Sequence, residues 1–592
     1  MNIFKLCKSY LMKYRFLILL FVILNMVSSC IIIISPYITG NFIDNLIKSA
    51  NIKTIYNFCK VFSIVNILNL VIVYISSIVY MRAQTNMGHE LNRNIISHIQ
   101  DLSISYSENK NLAYLAQIVN NDSNALIIFC ITIIQNIIIN IFLLASTLIL
   151  LLRLNTYTSI AVMVFLILYV VVYYVFRKPL YRVKKAFTES QSKYFSKSYE
   201  QFRFLKYIKI NSIKKDFIDS LNNVFQDLLK KAMKSQKISG LFAGMDSSIM
   251  VFVQVTIYVI GGIQVLNNNF TIGKFTIFLS YFTIMINSVR YFFNLGKTYQ
   301  DTLVSYDRIV AILKNEKEIN GEIKLYDIES INIQDVSFNY KNLNYKLFNN
   351  INLEFKKGNI YGILGPNGSG KSSLINLIIG MYINEIDGKI KYNEKNHKEI
   401  DMKQIRKDLI AVSMQEPSLI NDSIFYNIVL DKTISELNHD KIENLLDMLN
   451  FKNYINSLED GLNSVISENS NNLSGGEKQK ISLLSVLYKN PKLMILDEPT
   501  SALDKDSTEK LINYLNKIKD DKIIIIITHN ELIAKLCDIQ YTFSKAENGP
   551  CTISEKTKKV YDILEYQPKL KESKLQKNKS SKKQKKNIKI PV

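Results

Sequence analysis

Nine consecutive residues, Gly365-Pro-Asn-Gly-Ser-Gly-Lys-Ser-Ser373, place three glycines, a lysine and three hydroxyls in one short loop. Gly365, Gly368 and Gly370 let backbone N–H groups approach an anion without a Cβ clash, and Asn367, Ser369 and Ser373 complete the loop. An apolar run, Ile360 to Leu364, precedes it and a helical pattern follows, the setting in which G-x-x-x-x-G-K-[ST] grips phosphate. Lys371 is placed to reach β- and γ-phosphates, and Ser372 to ligate Mg²⁺. The helix starting near Lys371 turns its positive end toward the same phosphates.

Two further apolar runs end in groups that suit such a ligand. Leu493-Met-Ile-Leu leads into Asp497 and Glu498. Asp497 suits support of Mg²⁺, and Glu498 suits orienting and polarising an attacking water. Ile523 to Ile527 leads to Thr528 and His529, and a histidine at that strand tip is expected to touch the γ-phosphate. Leu473-Ser474-Gly475-Gly476-Glu477 opens another helix, where a hydroxyl and glycine N–H groups make a second anion site. Two phosphate-gripping ends in one chain predict a nucleotide shared between two domains.

The three apolar runs are short and continuous, which suits strands buried on both faces of a parallel sheet. From about Glu322 onward, strand and helix patterns alternate. The residues before that point are of another kind. Six apolar runs, Phe16 to Ile34, Val61 to Tyr80, Leu126 to Leu152, Ile160 to Phe176, Ile249 to Leu266 and Phe275 to Phe293, approach or meet the ~20 residues that span a bilayer. The first is too long for a signal peptide and lacks a small-residue cleavage site. Sixteen Lys and Arg fall between Arg177 and Lys237, while Arg153 to Ser159 and Asn267 to Lys274 carry one basic residue each. That bias puts the long loops, the N-terminus and everything after the last run in the cytoplasm. The long loops keep helical periodicity, so the spans are expected to extend beyond the bilayer.

Within the runs, Asn136 and Asn140 share one helix face, as do Asn66 and Asn69. Such stripes suit hydrogen bonding between helices or the lining of a polar path. Arg290, near the inner end of the sixth run, is expected to snorkel to the interface.

Composition narrows the class. The 592 residues are 48% hydrophobic, which excludes a globally disordered chain, and the repeated spans exclude an ordinary soluble enzyme. Six scattered cysteines make neither a disulfide framework nor a metal spacing. A large part of the net charge of +22 lies at one end: Pro568 to Val592 carries ten lysines against Glu572. The segment reads as a basic disordered tail, suited to an anionic membrane surface or to plain solubility. Nucleic acid is not expected as a partner, because no aromatic residues are interleaved with the lysines.

With these motifs in place, the chain resembles an ATP-binding cassette (ABC) exporter half-transporter, and the resemblance covers nearly everything except the tail. It implies an α-helical membrane domain of six transmembrane helices with cytoplasmic extensions, followed by an α/β P-loop ATPase domain. The boundaries drawn are residues 1–320, 321–565 and a tail over 566–592. Tyr340, in Val336-Ser-Phe-Asn-Tyr, matches the aromatic that stacks on adenine. Gln415, in Ser413-Met-Gln-Glu-Pro, matches the glutamine that senses Mg²⁺ and water. Ser501-Ala-Leu-Asp504 matches the loop that crosses to a partner ATPase, and Ser474, Gly475 and Gly476 would contact ATP held by that partner's P-loop. Leu112 to Asn124 and Glu200 to Lys209 resemble the cytoplasmic loops that meet the ATPase.

The sequence departs from the family at several points. Glu477 stands where glutamine is usual, placing a carboxylate near phosphate, where it is expected to slow closure. Ser467 and Ser470 replace two glycines around Glu468, and Ser485 replaces an arginine. The first span begins at Phe16, so the leader-peptidase domain of some relatives is expected to be absent.

The expectation is an ATP-driven exporter in the cell membrane, using ATP and Mg²⁺, as a homodimer or with a homologous half-transporter. Glu498, His529, Lys371 and Gln415 carry the hydrolytic roles. The cargo expected is a peptide, because Gln135, Asn136, Asn140, Gln254 and Asn287 offer amides while the apolar runs contain no Asp or Glu. A lipid or multidrug exporter is the alternative, and a non-pumping ATP-gated regulator is the rival from another class.

Overall fold

Backbone N–H and C=O groups have no water to bond inside a bilayer, so a long apolar run can satisfy them only by coiling on itself. The apolar runs of the first half accordingly form helices. The computed structural model describes residues 2–49, 51–108, 115–116, 118–340, 345–431, 439–467, 472–544 and 549–557. The basic tail, Glu468 and Ser470 lie outside the described residues, as does part of the Leu112 to Asn124 loop.

The chain divides into two units, Met1–Leu102 with Tyr106–Lys317, and Ser103–Ser105 with Glu318–Val592. The first is helical: α1 (Asn2–Lys13), α2 (Arg15–Ser49), α3 (Ile52–Gln100), α4 (Ser123–Leu154), α5 (Thr156–Arg203), α6 (Lys214–Leu266) and α7 (Ile272–Leu313). Among the described residues, five helices are long and apolar enough to cross a membrane. The run Ile160 to Phe176 falls inside α5, and most of its side chains lie outside the described residues. Helix α6 has 53 residues, about 80 Å of helix against a hydrocarbon layer of about 30 Å, so it runs far past any span.

Helix α5 lies along α6, α4 along α7, and α2 along α3. Met87, Leu126, Ile127, Cys130 and Ile309 pack in one core of this unit, and Ile257, Phe278, Phe282 and Met285 in another. Several polar side chains act between helices: Ser28 Oγ donates to Asn69 Oδ1 at 2.7 Å and Asn25 Nδ2 to Ser76 Oγ at 2.6 Å. Asn66 and Asn140 donate to carbonyls one turn back, Phe62 and Asn136, both at 2.8 Å. The guanidinium of Arg290 meets Asp246 of α6 through two bonds, Nη2 to Oδ2 at 2.7 Å and Nε to Oδ1 at 3.1 Å. Both side chains are partly buried, and the planar fork of the guanidinium matches the carboxylate.

The second unit is built on two sheets. Antiparallel β1 (Ser330–Phe338), β2 (Phe348–Lys356), β4 (Asp387–Tyr392) and β5 (Lys395–Asn396) are ordered β2-β1-β4-β5. The larger sheet is ordered β10-β9-β3-β8-β7-β6, from β3 (Asn359–Leu364), β6 (Ile410–Ser413), β7 (Leu493–Asp497), β8 (Ile523–Ile527), β9 (Ile539–Ser544) and β10 (Thr552–Thr557). All its pairs are parallel except β9 with β10. Every residue of β8 is buried, which explains its unbroken isoleucine run: both faces of a central parallel strand are covered. Strands β3, β7 and β8 lie side by side, so their C-terminal ends open at one edge. Helices α8 (Lys371–Ile378), α9 (Gly475–Lys489) and α10 (Lys505–Ile518) follow the segments that carry the motifs.

Candidate functional site

Three strand tips converge on one cavity of about 590 Å³. β3 delivers the glycine loop, β7 delivers Asp497 and Glu498, and β8 delivers His529. The loop owes its course to positive φ at Gly365, Gly368 and Gly370, where a side chain would be strained. A Cβ at Gly365 would also lie 2.4 Å from the Phe543 carbonyl oxygen of β9. Gly370 then caps α8, so the first turn of that helix faces the cavity.

Lys371 is nearly buried, and its ammonium is held by the loop itself: Nζ donates to the Gly365 carbonyl at 2.7 Å and the Pro366 carbonyl at 3.0 Å. Burial pulls its pKa below the usual lysine value, while Asp497 and Glu498 pull it back up. The Asp497 carboxyl is pushed up by burial and then by the neighbouring Glu498, with Lys371 and His529 opposing. Four charged or ionisable groups therefore share one partly dry space, and a bound polyanion with a divalent cation would rebalance them.

Glu498 adopts a positive φ of 50°, a conformation unusual for its type. Two bonds hold it there. Its N–H donates to the Ile527 carbonyl at 2.9 Å, and its Oε1 accepts the His529 N–H at 2.9 Å. The imidazole Nε2 of His529 lies 3.4 Å from Lys371 Nζ. Tyr340 Oη and Ser373 Oγ are 2.9 Å apart at another part of the wall.

Of the residues singled out in the sequence, Tyr340, Asn367, Gly368, Gly370, Lys371, Ser372, Ser373, Gln415, Asp497, Glu498, Ser501 and His529 line this cavity. Ser369 is wholly buried behind the loop. Ser474, Gly475, Gly476 and Asp504 are not among the lining residues. Ser474 caps α9 in a reciprocal box: its Oγ accepts the Glu477 N–H at 3.3 Å, and Glu477 Oε2 accepts the Ser474 N–H at 2.6 Å. Glu477 thus occupies the N–H at the start of the second anion site. Asp504 caps α10, accepting the Ser507 N–H at 2.8 Å, and also accepts Asn450 Nδ2 at 3.2 Å.

Sequence reasoning missed Tyr345, Leu347 and Ile527 as lining residues, and gave no role to Gln479. Gln479 joins two loops at the cavity: its Nε2 donates to the Gln415 carbonyl at 2.8 Å, and its Oε1 accepts Ser501 Oγ at 3.0 Å. Its position two residues after Glu477, one turn into a motif-bearing helix, was the available signal.

Hard oxygen donors dominate where a metal would sit. The hydroxyl of Ser372, the side-chain carbonyl of Gln415 and the Asp497 carboxylate border the same space, a set that suits Mg²⁺ shared with phosphate oxygens.

Comparison with known proteins agrees with this architecture. The family model described as ABC transporter matches residues 348–501, and that described as ABC transporter transmembrane region matches 18–289. An ATP-binding/permease protein of Rickettsia bellii is 31% identical over 359 residues, 60% of this chain and 61% of its own length. The Microcin-J25 export ATP-binding/permease protein McjD of Escherichia coli is 25% identical over 559 residues, 90% of this chain and 92% of its own. The multidrug resistance-like ATP-binding protein MdlB of Buchnera aphidicola is 35% identical over 231 residues, 39% of each chain. The chain thus spans about three fifths of the Rickettsia relative and two fifths of the Buchnera one. A solved bacterial Atm1-family ABC exporter with ATP bound shares the fold, with a TM-score of 0.79 at 16% identity over 94% of this chain and 96% of that one.

Proposed function

The chain belongs to the ABC transporter superfamily, as an exporter-type half-transporter, and from that premise we propose that it hydrolyses ATP to drive export across the cell membrane. One observation carries the reading. A glycine loop with its lysine, two strand-end carboxylates and a histidine surround a single cavity, in a chain whose other unit holds the apolar helices.

In this reading the loop N–H groups and Lys371 hold the β- and γ-phosphates, and Tyr340 lies against adenine. Ser372, Gln415 and Asp497 would hold Mg²⁺, and the charge neutralisation at phosphate oxygens would be what the ion supplies. Glu498 takes the proton of the attacking water, a role for which its fixed carboxylate is suited, and His529 lies beside the transferred phosphoryl group. Ser474, Gly475, Gly476 and Asp504 act on the partner subunit's nucleotide, which accounts for their standing apart from this chain's own cavity. The working unit is then a dimer, and a complete set of residues allows two identical chains. The loop charge bias puts the N-terminus and the ATPase unit in the cytoplasm. The Lys-rich tail suits the adjoining anionic lipid surface.

The proposed cargo is a peptide. Asp246 supports it, because both its carboxylate oxygens are engaged by Arg290 and no free anion is left there to select a lipophilic cation. Amides such as Gln135 and Asn287 remain for a peptide backbone. Lipids or drugs are the second reading, favoured by the name of the Buchnera relative. The test measures ATPase stimulation in lipid discs, and uptake into inverted vesicles, with small peptides, dye cations and short-chain lipids. Stimulation and uptake with peptides support the proposal. A response to cations or lipids alone overturns the cargo, and ATP turnover with no uptake of any compound points to the non-pumping regulator.

A further inference from the structure

We propose that Cys551 is a positioning residue for nucleotide binding: its thiol fixes the peptide unit that aims the Gly370 N–H into the phosphate cavity. The inference rests on the reading of that cavity as the ATP site.

Cys551 sits just before β10, almost fully buried, in the core that also contains Leu347, Phe348 and Phe543. Its Sγ is 2.8 Å from the carbonyl oxygen of Ser369, and the thiol is the donor. Its backbone N–H donates to the Leu347 carbonyl at 2.9 Å, so the residue is itself pinned by the segment entering β2. The carbonyl of Ser369 and the N–H of Gly370 belong to one planar trans peptide, in which C=O and N–H point in opposite directions. Holding the oxygen backward into the core therefore turns the N–H forward. Gly370 lines the cavity, whereas Ser369 is completely buried.

The neighbouring contacts leave this unit little alternative support. Gly370 has φ of 94°, and a Cβ there would lie 3.0 Å from the Phe348 ring. The Ser369 hydroxyl is buried with no hydrogen-bond partner, so it does not hold the plane. Glycine on one side also makes rotation of this peptide unit easy, which gives the thiol bond something to prevent. Phosphate oxygens need the N–H in place before they arrive, so a loosened plane weakens ground-state binding more than the chemical step.

The experiment compares full-length wild type with Cys551→Ser, Cys551→Ala and Cys551→Val in detergent. It measures the affinity for a non-hydrolysable ATP analogue and the KM and kcat for ATP, with Lys371→Ala as a reference. Serine keeps a donor at Cβ, while alanine and valine remove it. The expected result is a rise in KM and Kd of about 3- to 10-fold for Cys551→Ala and Cys551→Val, with kcat within about twofold of wild type and Cys551→Ser close to wild type. Equal affinity for alanine and wild type overturns the inference, as does equal weakening by serine, alanine and valine, which would mark a packing role only. Wild type that binds no ATP analogue overturns the ATP-site reading instead. Should valine fail to fold, the serine–alanine pair decides the matter alone.

Discussion

The Oε1 of Glu498 accepts the backbone N–H of His529 at 2.9 Å, so the residue assigned to the attacking water is fixed by the strand that carries the residue assigned to the phosphate. Glutamine offers the same acceptor atom and the same volume. Glu498→Gln is therefore expected to keep the tip of β7 in place, bind ATP as wild type does, and lose hydrolysis by at least about 10²-fold, since only proton acceptance is removed. It should also accumulate the ATP-closed dimer. Steady-state ATPase rates beside nucleotide affinity check this, and wild-type turnover would take Glu498 out of the catalytic role.

Lys371 and Ser474 are expected to fail differently. Lys371→Ala removes a charge-assisted contact to phosphate, and ATP affinity should fall by roughly tenfold or more. Ser474 stands outside the cavity of its own chain and caps α9, so Ser474→Arg should leave ATP binding near wild type and block turnover by preventing closure. Loss of nucleotide binding in both variants would contradict a site shared between subunits. Glu477 offers a gentler probe of the same place. Its carboxylate holds the Ser474 N–H at 2.6 Å, and Glu477→Gln should weaken that hold and raise turnover modestly.

What could be read in advance depended on how local the chemistry was. Lys371, Asp497, Glu498 and His529 each follow a short apolar strand, so the sequence carries both the group and its mounting. The reciprocal Ser474–Glu477 cap is also local, written as S-x-x-E, the same residues that carry the phosphate chemistry of the motif. Asp246 and Arg290 are 44 residues apart on different helices, and their pairing depends on the register of α6 against α7, which no short window contains. Cys551 is one of six cysteines whose spacing carries no signal. Its bond to Ser369 spans 182 residues and exists only because β9 brings β10 alongside the glycine loop.

The Arg290–Asp246 pair makes a prediction about the membrane unit. Both groups are partly buried, and the two parallel bonds give the pair its geometry. Asp246→Ala leaves the guanidinium without its partner and is expected to destabilise the unit by about 3 kcal/mol, reduced to the extent that solvent reaches the pair. Replacing both, as Asp246→Leu with Arg290→Met, should restore most of that loss. Thermal unfolding in detergent of Asp246→Leu, Arg290→Met and the double variant gives the coupling directly. Simple additivity would mean that the pair contributes nothing beyond its separate parts.

His397 supplies a pH test of the ATPase unit away from the cavity. It is almost fully buried, and its Nδ1 is 2.9 Å from the Ile390 carbonyl, so Nδ1 carries the proton. Nε2 is buried without a hydrogen-bond partner. Charging the ring would place a donor where nothing accepts it, and burial lowers the pKa from 6.5 to about 4, with Lys398 adding to the effect. Above pH 6.5 the ring is neutral in both folded and unfolded chains, and stability is independent of this group. As pH falls from 6.5 toward 4, the unfolded chain binds a proton that the folded chain refuses, so stability declines across that window and levels off below it. At pH 5 the loss relative to pH 7.5 should be about 2 kcal/mol. His397→Asn keeps a donor for Ile390 and cannot titrate there, so it should flatten this part of the profile. Unfolding of the full chain, followed at pH 7.5 and pH 5 for both proteins, measures the difference between the two profiles. Equal pH dependence in wild type and His397→Asn would show that the buried imidazole is not what makes this unit sensitive to acid.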